Sequence, residues 1–238
     1  MLPWAPPCPP NRTDVWYCAP ADAPSESLSW FAKDWGAVLY DTAYRGVFRL
    51  LGYPGLDAEV EAACDALNLA ALDESQFLLD LSCGPGVFTQ RLVDSTAARV
   101  VAVDFSRAMC ERAAKRAPGS AAVVRADVGR LPFKDGSVAR IHAAASLHCW
   151  PDPARGVSEC LRVLAPGGVL YLSTVTLPPP TRGQLVARAG GDVAAARADW
   201  ARGRTTNAPF FDAEHVASFG LEVLTVHAPC FAAAAARV

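Results

Sequence analysis

From Phe77 onward, short apolar segments alternate with helical segments, and this alternation constrains the fold more than any other feature. Continuous apolar runs separated by helices are typical of parallel strands buried on both faces. With right-handed crossovers, they predict an α/β fold with a doubly wound, mostly parallel, seven-stranded sheet. The candidate strands are 77–81, 99–103, 121–125, 138–144, 168–175, about 221–227 and about 230–237, and candidate helices lie at about 86–94, 106–117 and 151–164.

The remaining segments predict additions to a single domain. Residues 1–27 contain many prolines, which favour an extended arm there rather than a helix. Apolar residues then recur at helical spacing, which predicts an N-terminal helical attachment. The predicted divisions are an arm over 1–27 and one domain over 28–238, the latter made of helices in 28–70, a core over 77–175, a helical insertion over 178–210, and a closing helix and strands over 212–238.

Charge and hydropathy exclude two classes of protein. The chain has 22 Lys and Arg against 24 Asp and Glu, whereas a protein that grips a phosphate backbone usually has a basic excess. We therefore expect no nucleic-acid partner. No apolar run approaches the roughly 18 residues that span a bilayer, so no transmembrane segment is expected. The arginines of 178–210 are compatible with peripheral membrane contact, with an acidic ligand or with solvated helix faces.

The eight cysteines are spread along the chain without a CxxC pair. In a chain with an ample core, this distribution predicts reduced, mostly packed thiols rather than a disulfide framework. The first 25 residues lack the apolar run of a secretory signal, and they contain aspartates that transit peptides usually avoid. Composition therefore does not indicate the compartment, and it does not indicate the oligomeric state.

The strongest local signal is the sequence LDLSCGPGVF at 79–88, which follows a predicted strand and opens a predicted helix. Glycines allow close approach of the backbone to a ligand, and a helix N-terminus offers unpaired N–H groups. Acidic residues stand at the ends of three successive strands: Asp80, Asp104 and Asp127. An acid at the second strand end is placed to bond both hydroxyls of a ribose. The same acids are also explained as helix caps or solvated loop residues.

Two nucleotide-containing cofactors fit such a loop. A dinucleotide-binding loop has a third glycine three residues after the second, where this chain has Thr89. A carboxylate at Asp80, just ahead of the loop, would repel a pyrophosphate but suits a ligand with an ammonium or sulfonium group. Electrostatics therefore favour S-adenosylmethionine over NAD.

From about Phe77 to Val175 the sequence resembles the class I S-adenosylmethionine-dependent methyltransferases with a DxxCGxGxF loop. VVAVDFSRAMCERAAKR and VLAPGGVLYLSTV are part of this match. The LPF and GSV tripeptides within 131–138 are similar to ubiquinone/menaquinone-type methyltransferases. HAAASLHCWP at 142–151 resembles uncharacterised plastid methyltransferases of plants and green algae, and Tyr40, Arg45 and the turn at 52–55 extend that likeness.

The resemblance implies a Rossmann-like methyltransferase fold, with 28–70 as lid helices and 178–210 as a substrate insertion. It implies transfer of a methyl group from S-adenosylmethionine to a small, apolar or aromatic acceptor by in-line displacement. It also implies a chloroplast location, with the cytoplasm as the alternative. Such relatives often carry a cysteine-rich zinc ribbon before the catalytic domain. This chain has only Cys8 and Cys18 there and no CxxC pair, so no metal site is expected.

The resemblance also implies roles for individual residues. His148 follows the fourth strand and is the candidate general base, and Tyr40, Tyr44 and Trp150 join it as candidate substrate contacts. Cys83 is expected to be small and closely packed inside the glycine loop. The full set expected around the cofactor is Asp80, Ser82, Cys83, Gly84, Gly86, Phe88, Asp104, Phe105, Met109, Asp127, Val128, Ala145 and Ser146.

Two other function classes remain open from the sequence. The first is a methyltransferase-like fold without catalysis, acting as a scaffold or cofactor-sensing subunit, although a scaffold has no need of an intact glycine loop. The second is an NAD(P) oxidoreductase, which Asp80 and Thr89 disfavour.

Overall fold

The computed structural model of the chain describes residues 15–18, 54–119, 121–175, 187, 190–192, 217–218, 220–227 and 231–237. Tyr40 and Tyr44 lie outside these residues, as do most of the predicted N-terminal helices and nearly all of the 178–210 insertion. Within the described part of the chain, no helix is long and apolar enough to cross a membrane.

The centre of the structure is an eight-stranded sheet in the order β1-β4-β3-β2-β5-β6-β8-β7. The first six strands in this order are parallel, and β8 pairs antiparallel with both β6 and β7. The predicted α/β architecture with a parallel sheet is confirmed. The strands are β1 Val15–Tyr17, β2 Phe77–Leu81, β3 Arg99–Asp104, β4 Ala121–Arg125, β5 Val138–Ala143, β6 Leu164–Val175, β7 Glu222–His227 and β8 Phe231–Arg237.

The count of seven strands is not confirmed, because β1 adds a further strand at the edge of the sheet. Val15 pairs with Val123 of β4, and Cys18 N–H donates to the Arg125 carbonyl at 2.8 Å. Val15 is fully buried. A three-residue strand inside a segment with many prolines has too little periodicity to be predicted, and only the open edge of β4 gives it partners.

Helices connect the parallel strands. Ser106 caps α3 by accepting a hydrogen bond from Met109 N–H, and Asp152 caps α4 by accepting one from Arg155 N–H. Two short 3₁₀ helices cover Leu69–Ala71 and Leu147–Cys149. Within the described ranges, the α-helices are α1 Leu56–Leu67, α2 Val87–Asp94, α3 Arg107–Arg116 and α4 Pro153–Val163.

Both faces of the sheet are buried, as the continuous apolar strands predicted. All five residues of β2 are buried. Leu79 and Leu81 belong to the core on one face, whereas Leu78 packs with Leu67 and Leu92 in the core on the other face. Full burial of each leucine contributes about 1.5–3 kcal/mol to the driving force for folding. The fold thus holds the carboxyl end of β2 rigidly from both sides.

Candidate active site

The order in which successive strands are added to the sheet reverses at β2, and the loops after β2 and its neighbours contain the expected site residues. β3 lies on one side of β2 and β5 on the other, so the loops that follow these strands diverge and leave a crevice. The loop 82–86 follows β2, Asp104 ends β3, Asp127 follows β4, and the segment 144–150 follows β5. These predicted loop, acidic and β5-end residues therefore lie at the carboxyl ends of neighbouring strands.

The glycine loop has a backbone conformation that most side chains disfavour. Ser82, Gly84 and Gly86 have φ angles of 56°, 55° and 81°. A Cβ added at Gly86 would lie 2.8 Å from Ala113 Cα. Glycine at position 86 is therefore required both by its left-handed conformation and by the close packing of the loop on α3.

Asp104, the last residue of β3, holds the glycine loop in place. Its Oδ2 accepts a hydrogen bond from Gly84 N–H at 2.9 Å, and its Oδ1 accepts one from Ser106 N–H at 2.8 Å. Burial raises the pKa of Asp104 to about 6, although the backbone hydrogen bonds act in the opposite direction. Each carboxylate oxygen retains a second lone pair, so Asp104 can still accept hydrogen bonds from a ligand.

Asp80 is held from below the loop by two side chains that the sequence analysis did not single out for this purpose. Its Oδ1 lies 2.9 Å from His142 Nδ1, and its Oδ2 accepts a hydrogen bond from Thr89 Oγ1 at 2.5 Å. Asp80 is only 1% exposed. His142 lies inside a predicted strand, two residues after Arg140, and its position in the strand carries no signal of this role. Its partner was not predictable, because the two residues are 62 positions apart.

The residues expected near an adenine divide into two groups. Phe105 is half-buried under the Arg125 guanidinium, 5.6 Å from the ring centroid, and Asp127 Oδ1 accepts a hydrogen bond from Gly129 N–H at 2.9 Å. Phe88 and Val128 lie instead in the core, as does Met109 in the first turn of α3. Their contact with a cofactor stays a prediction.

Cys83 occupies the position that its small size suggested. It is buried, and its N–H donates to the Val103 carbonyl at 3.0 Å. Burial raises the pKa of its thiol well above the ordinary range, so the thiol is neutral. Cys83 is therefore a packing residue of the loop and is not poised as a nucleophile.

A polar cluster forms where β5 and β6 end. Ala145 N–H donates to Ser173 Oγ at 2.8 Å, and Ser146 N–H donates to the Ser173 carbonyl at 3.1 Å. The Ser146 hydroxyl is buried, and no residue that the structure describes forms a hydrogen bond with its Oγ. A buried hydroxyl without a partner at the rim of a crevice is a position that a ligand atom can satisfy.

His148 belongs to the same cluster. Its Nδ1 lies 3.3 Å from Thr174 Oγ1, and the side chain is half-buried. Desolvation lowers the pKa of His148 to about 4, so the imidazole is neutral at pH 7. The imidazole is thus present in the form that can accept a proton, although a pKa of about 4 makes it a weaker base than an ordinary histidine.

Trp150, predicted as a candidate substrate contact, is buried against the glycine loop. It is 4% exposed, its Nε1 donates to Ser82 Oγ at 3.0 Å, and a Cβ at Gly156 would lie 2.5 Å from its ring. Trp150 therefore ties the segment after β5 to the glycine loop. Its contact with a substrate stays a prediction, and so do the contacts of Tyr40 and Tyr44.

Comparison with known proteins shows what this core is similar to. Residues 79–172 match the model of a methyltransferase domain. An uncharacterised chloroplastic methyltransferase of Arabidopsis thaliana is 40% identical over 145 residues, which cover 57% of this chain and 40% of that protein. A demethylmenaquinone methyltransferase of Clavibacter sepedonicus is 38% identical over 104 residues, which cover 43% of this chain and 42% of that protein.

Solved structures agree on the fold. A methyltransferase from Aquifex aeolicus gives a TM-score of 0.56 at 16% identity, covering 87% of this chain and 98% of that one. A phosphoethanolamine N-methyltransferase of Haemonchus contortus, in complex with S-adenosylmethionine, gives 0.57 at 16% identity, covering 80% of this chain and 42% of that one. The chain spans about two fifths of the length of its Arabidopsis relatives. The domain match, the relatives and the sheet show a methyltransferase domain over residues 79–172, similar to the class I S-adenosylmethionine-dependent methyltransferases.

Proposed function

We propose that the chain transfers a methyl group from S-adenosylmethionine to a small, apolar or aromatic acceptor. The observation that carries this proposal is the closure of the glycine loop on Asp104 through Gly84 N–H, beside the buried Asp80 carboxylate. This arrangement offers backbone close approach, an acceptor for hydroxyl groups and negative charge in adjacent positions. These are the features that a ribose and a cationic methionine part require together.

The described residues fit the cofactor. Asp104 keeps lone pairs for the ribose hydroxyls, and the buried Ser146 Oγ has no partner among the residues described. The proposed distribution of roles follows the strand ends. Ser82, Gly84, Gly86 and Asp80 would surround the methionine part, Phe105 and Met109 would pack on the adenine, Asp127 and Val128 would meet its edge, and Ala145 and Ser146 would line the floor.

The chain's part in the reaction is alignment, exclusion of water and acceptance of a proton. The cofactor supplies a methyl group already activated by a sulfonium. Alignment of donor and acceptor can supply about 7–11 kcal/mol of the barrier reduction. His148 would take the proton of the acceptor at its ring nitrogen, and Thr174 Oγ1 orients that ring.

A thermal shift measurement tests the cofactor. S-adenosylmethionine, S-adenosylhomocysteine and NAD⁺ are compared in parallel at about 100 times the expected dissociation constant, where a ligand stabilises by about 2.7 kcal/mol. We expect a rise of a few degrees with the two adenosyl compounds and none with NAD⁺. Binding of the adenosyl compounds without turnover of any acceptor would favour the scaffold or sensing alternative, which the family match does not favour.

Binding of S-adenosylmethionine is expected to weaken as the pH falls through 6. The ionised Asp104 carboxylate accepts the ribose hydroxyls, and its pKa is about 6 in the folded chain. Protonation at lower pH removes an acceptor, so the dissociation constant should rise about tenfold between pH 7 and pH 5. Isothermal titration calorimetry at both pH values measures this change. The same pH dependence in Asp104→Ala would show that another group is responsible.

Replacement of His148 by glutamine is expected to lower kcat by about 10²–10⁴ while leaving the Kd of S-adenosylmethionine unchanged. Because desolvation lowers the pKa of His148 to about 4, the base form is present throughout the neutral range. At saturating cofactor, the kcat of the unmodified chain should therefore be flat from pH 5 to pH 8. A fall in kcat centred near pH 6.5 would contradict this assignment.

The acceptor class is tested with radiolabelled S-adenosylmethionine and two compounds that relatives' names suggest. Demethylmenaquinone represents an apolar, aromatic acceptor, and trans-aconitate represents a small polar anion. We expect transfer to the first and not to the second. We further propose a plastid location, which the chloroplastic names of two relatives support, with the cytoplasm as the alternative. Imaging of the native chain with a C-terminal fluorescent tag distinguishes them.

A further inference from the structure

A polar row crosses the sheet at the point where its strand order reverses. Asp80 of β2 is the register partner of His142 of β5, and His142 is in turn the register partner of Tyr171 of β6. The side chains of Asp80 and His142 are 2% and 1% exposed, and Oδ1 lies 2.9 Å from Nδ1. An ionisable pair this deep in an otherwise apolar core is costly to bury, so its presence requires an explanation beyond filling space.

The imidazole is enclosed by aromatic rings. The Phe88 ring centroid lies 5.0 Å away at an angle of 42°, and the Tyr171 ring lies 6.1 Å away and nearly parallel. His142 Nε2 is buried and has no hydrogen-bond partner among the residues described. A hydrogen on Nε2 would therefore be an unpaired donor in an apolar environment. Since Asp80 Oδ1 accepts from Nδ1, the geometry points to a neutral imidazole with its hydrogen on Nδ1.

This tautomer leaves the negative charge of Asp80 uncompensated. The carboxylate accepts one hydrogen bond from His142 and one from Thr89, which is also buried. Both donors satisfy the carboxylate without adding a positive charge. A buried carboxylate without such donors would be left with unsatisfied acceptors, which is costly in an apolar core.

We propose that His142 is a positioning residue for the cofactor: through Nδ1–H it holds Asp80 as a fixed, charged carboxylate below the glycine loop, where it attracts the cationic methionine part of S-adenosylmethionine. This inference rests on the proposed function, in which Asp80 serves the cofactor. It adds a residue of β5 to the determinants of cofactor affinity, although the His142 side chain is only 1% exposed.

Two nearly isosteric variants test the proposal. In His142→Asn, the side-chain Nδ2 occupies the position of the imidazole Nδ1 and can still donate to Asp80. In His142→Leu, a side chain of similar shape has no donor. Both variants leave a similar cavity beside Phe88 and Tyr171. We expect His142→Leu to raise the Kd of S-adenosylmethionine about tenfold and His142→Asn to change it less than threefold, as measured by isothermal titration calorimetry. Equal effects of the two variants would overturn the proposal.

A double-variant comparison separates this proposal from the proposed function. In an Asp80→Asn background, His142→Leu should cause no further loss of affinity, because the charge that His142 holds is already absent. If Asp80→Asn alone leaves the Kd unchanged, the role of Asp80 in the proposed function fails. If Asp80→Asn weakens binding but His142→Leu does not, only the role of His142 fails.

A measurement on the unmodified chain keeps the test decisive if the variants do not fold. Nitrogen-15 NMR of labelled histidine distinguishes the two neutral tautomers and the imidazolium. We expect the His142 resonances to show hydrogen on Nδ1 and none on Nε2 near neutral pH. The opposite tautomer, or an imidazolium, would overturn the proposal.

Discussion

Asp104→Ala is expected to raise the Kd of S-adenosylmethionine by at least about 100-fold. The proposed ribose contacts are two hydrogen bonds to a charged acceptor, each of which contributes about 1.5–3 kcal/mol. Their combined loss corresponds to a factor of about 10² or more. The substitution also removes the acceptor that Gly84 N–H and Ser106 N–H share, which loosens the loop that meets the methionine part. Isothermal titration calorimetry at pH 7.5 measures the change.

The matched control for this prediction is Asp94→Ala. Asp94 is an exposed carboxylate at the last residue of α2, at the opposite end of that helix from the glycine loop. The Asp94→Ala substitution removes the same charge from the protein without altering the crevice. The Kd of S-adenosylmethionine for this variant should therefore stay within twofold of that of the unmodified chain. A Kd for Asp104→Ala within threefold of the unmodified chain would refute the placement of the ribose at the end of β3.

Gly86→Ala is expected to lower the free energy of unfolding by about 2–5 kcal/mol and to abolish cofactor binding. The left-handed φ of 81° costs an alanine about 1–2 kcal/mol. The added Cβ would also lie 2.8 Å from Ala113 Cα, and overpacking of this kind costs about 1–3 kcal/mol. Because the neighbouring atom belongs to the backbone of α3, the loop has to move, and its N–H groups then leave the crevice. Urea denaturation measures the stability.

Gly119→Ala is the control that separates the two causes. Gly119 has a similar φ of 72°, but a Cβ there would meet no atom within 4 Å. It should therefore lose only the conformational part, about 1–2 kcal/mol, and it should bind the cofactor normally. Equal destabilisation of the two variants would mean that the contact with α3 is not what makes Gly86 necessary.

The amino-acid sequence was sufficient to predict the central strands, because their signal is local. β2, β3, β4 and β5 are continuous apolar runs bounded by loops, and each lies within one residue of its predicted bounds. β6 begins at Leu164 rather than at 168, because the register of its pairing with Val138 and not its own hydrophobicity decides where it starts. The resemblance to methyltransferases was likewise visible in the sequence, since the glycine loop and the spaced acids are consecutive features of the chain.

The partners inside the site were not predictable in the same way. Trp150 was predicted as a substrate contact, which stays a prediction, and the hydrogen bond from its Nε1 to Ser82 Oγ, 68 positions away in the sequence, was not predicted. Thr89 was noted because it replaces a glycine of another cofactor loop, whereas in the structure it donates to Asp80. Each of these contacts depends on which strands become neighbours, and a hydrogen bond of this kind leaves no periodic trace in the sequence.

The sequence by itself determined the order of strands and helices along the chain, the position of the glycine loop and the acids at successive strand ends. These features depend on hydrophobic periodicity and local backbone conformation, which are properties of neighbouring residues. The tertiary structure alone decided that Val15–Tyr17 extends the sheet and that His142 and Thr89 hold Asp80. The physical reason is the same in both cases. An open strand edge and a buried carboxylate each have to find hydrogen-bond partners, and only the packed fold brings distant partners within reach.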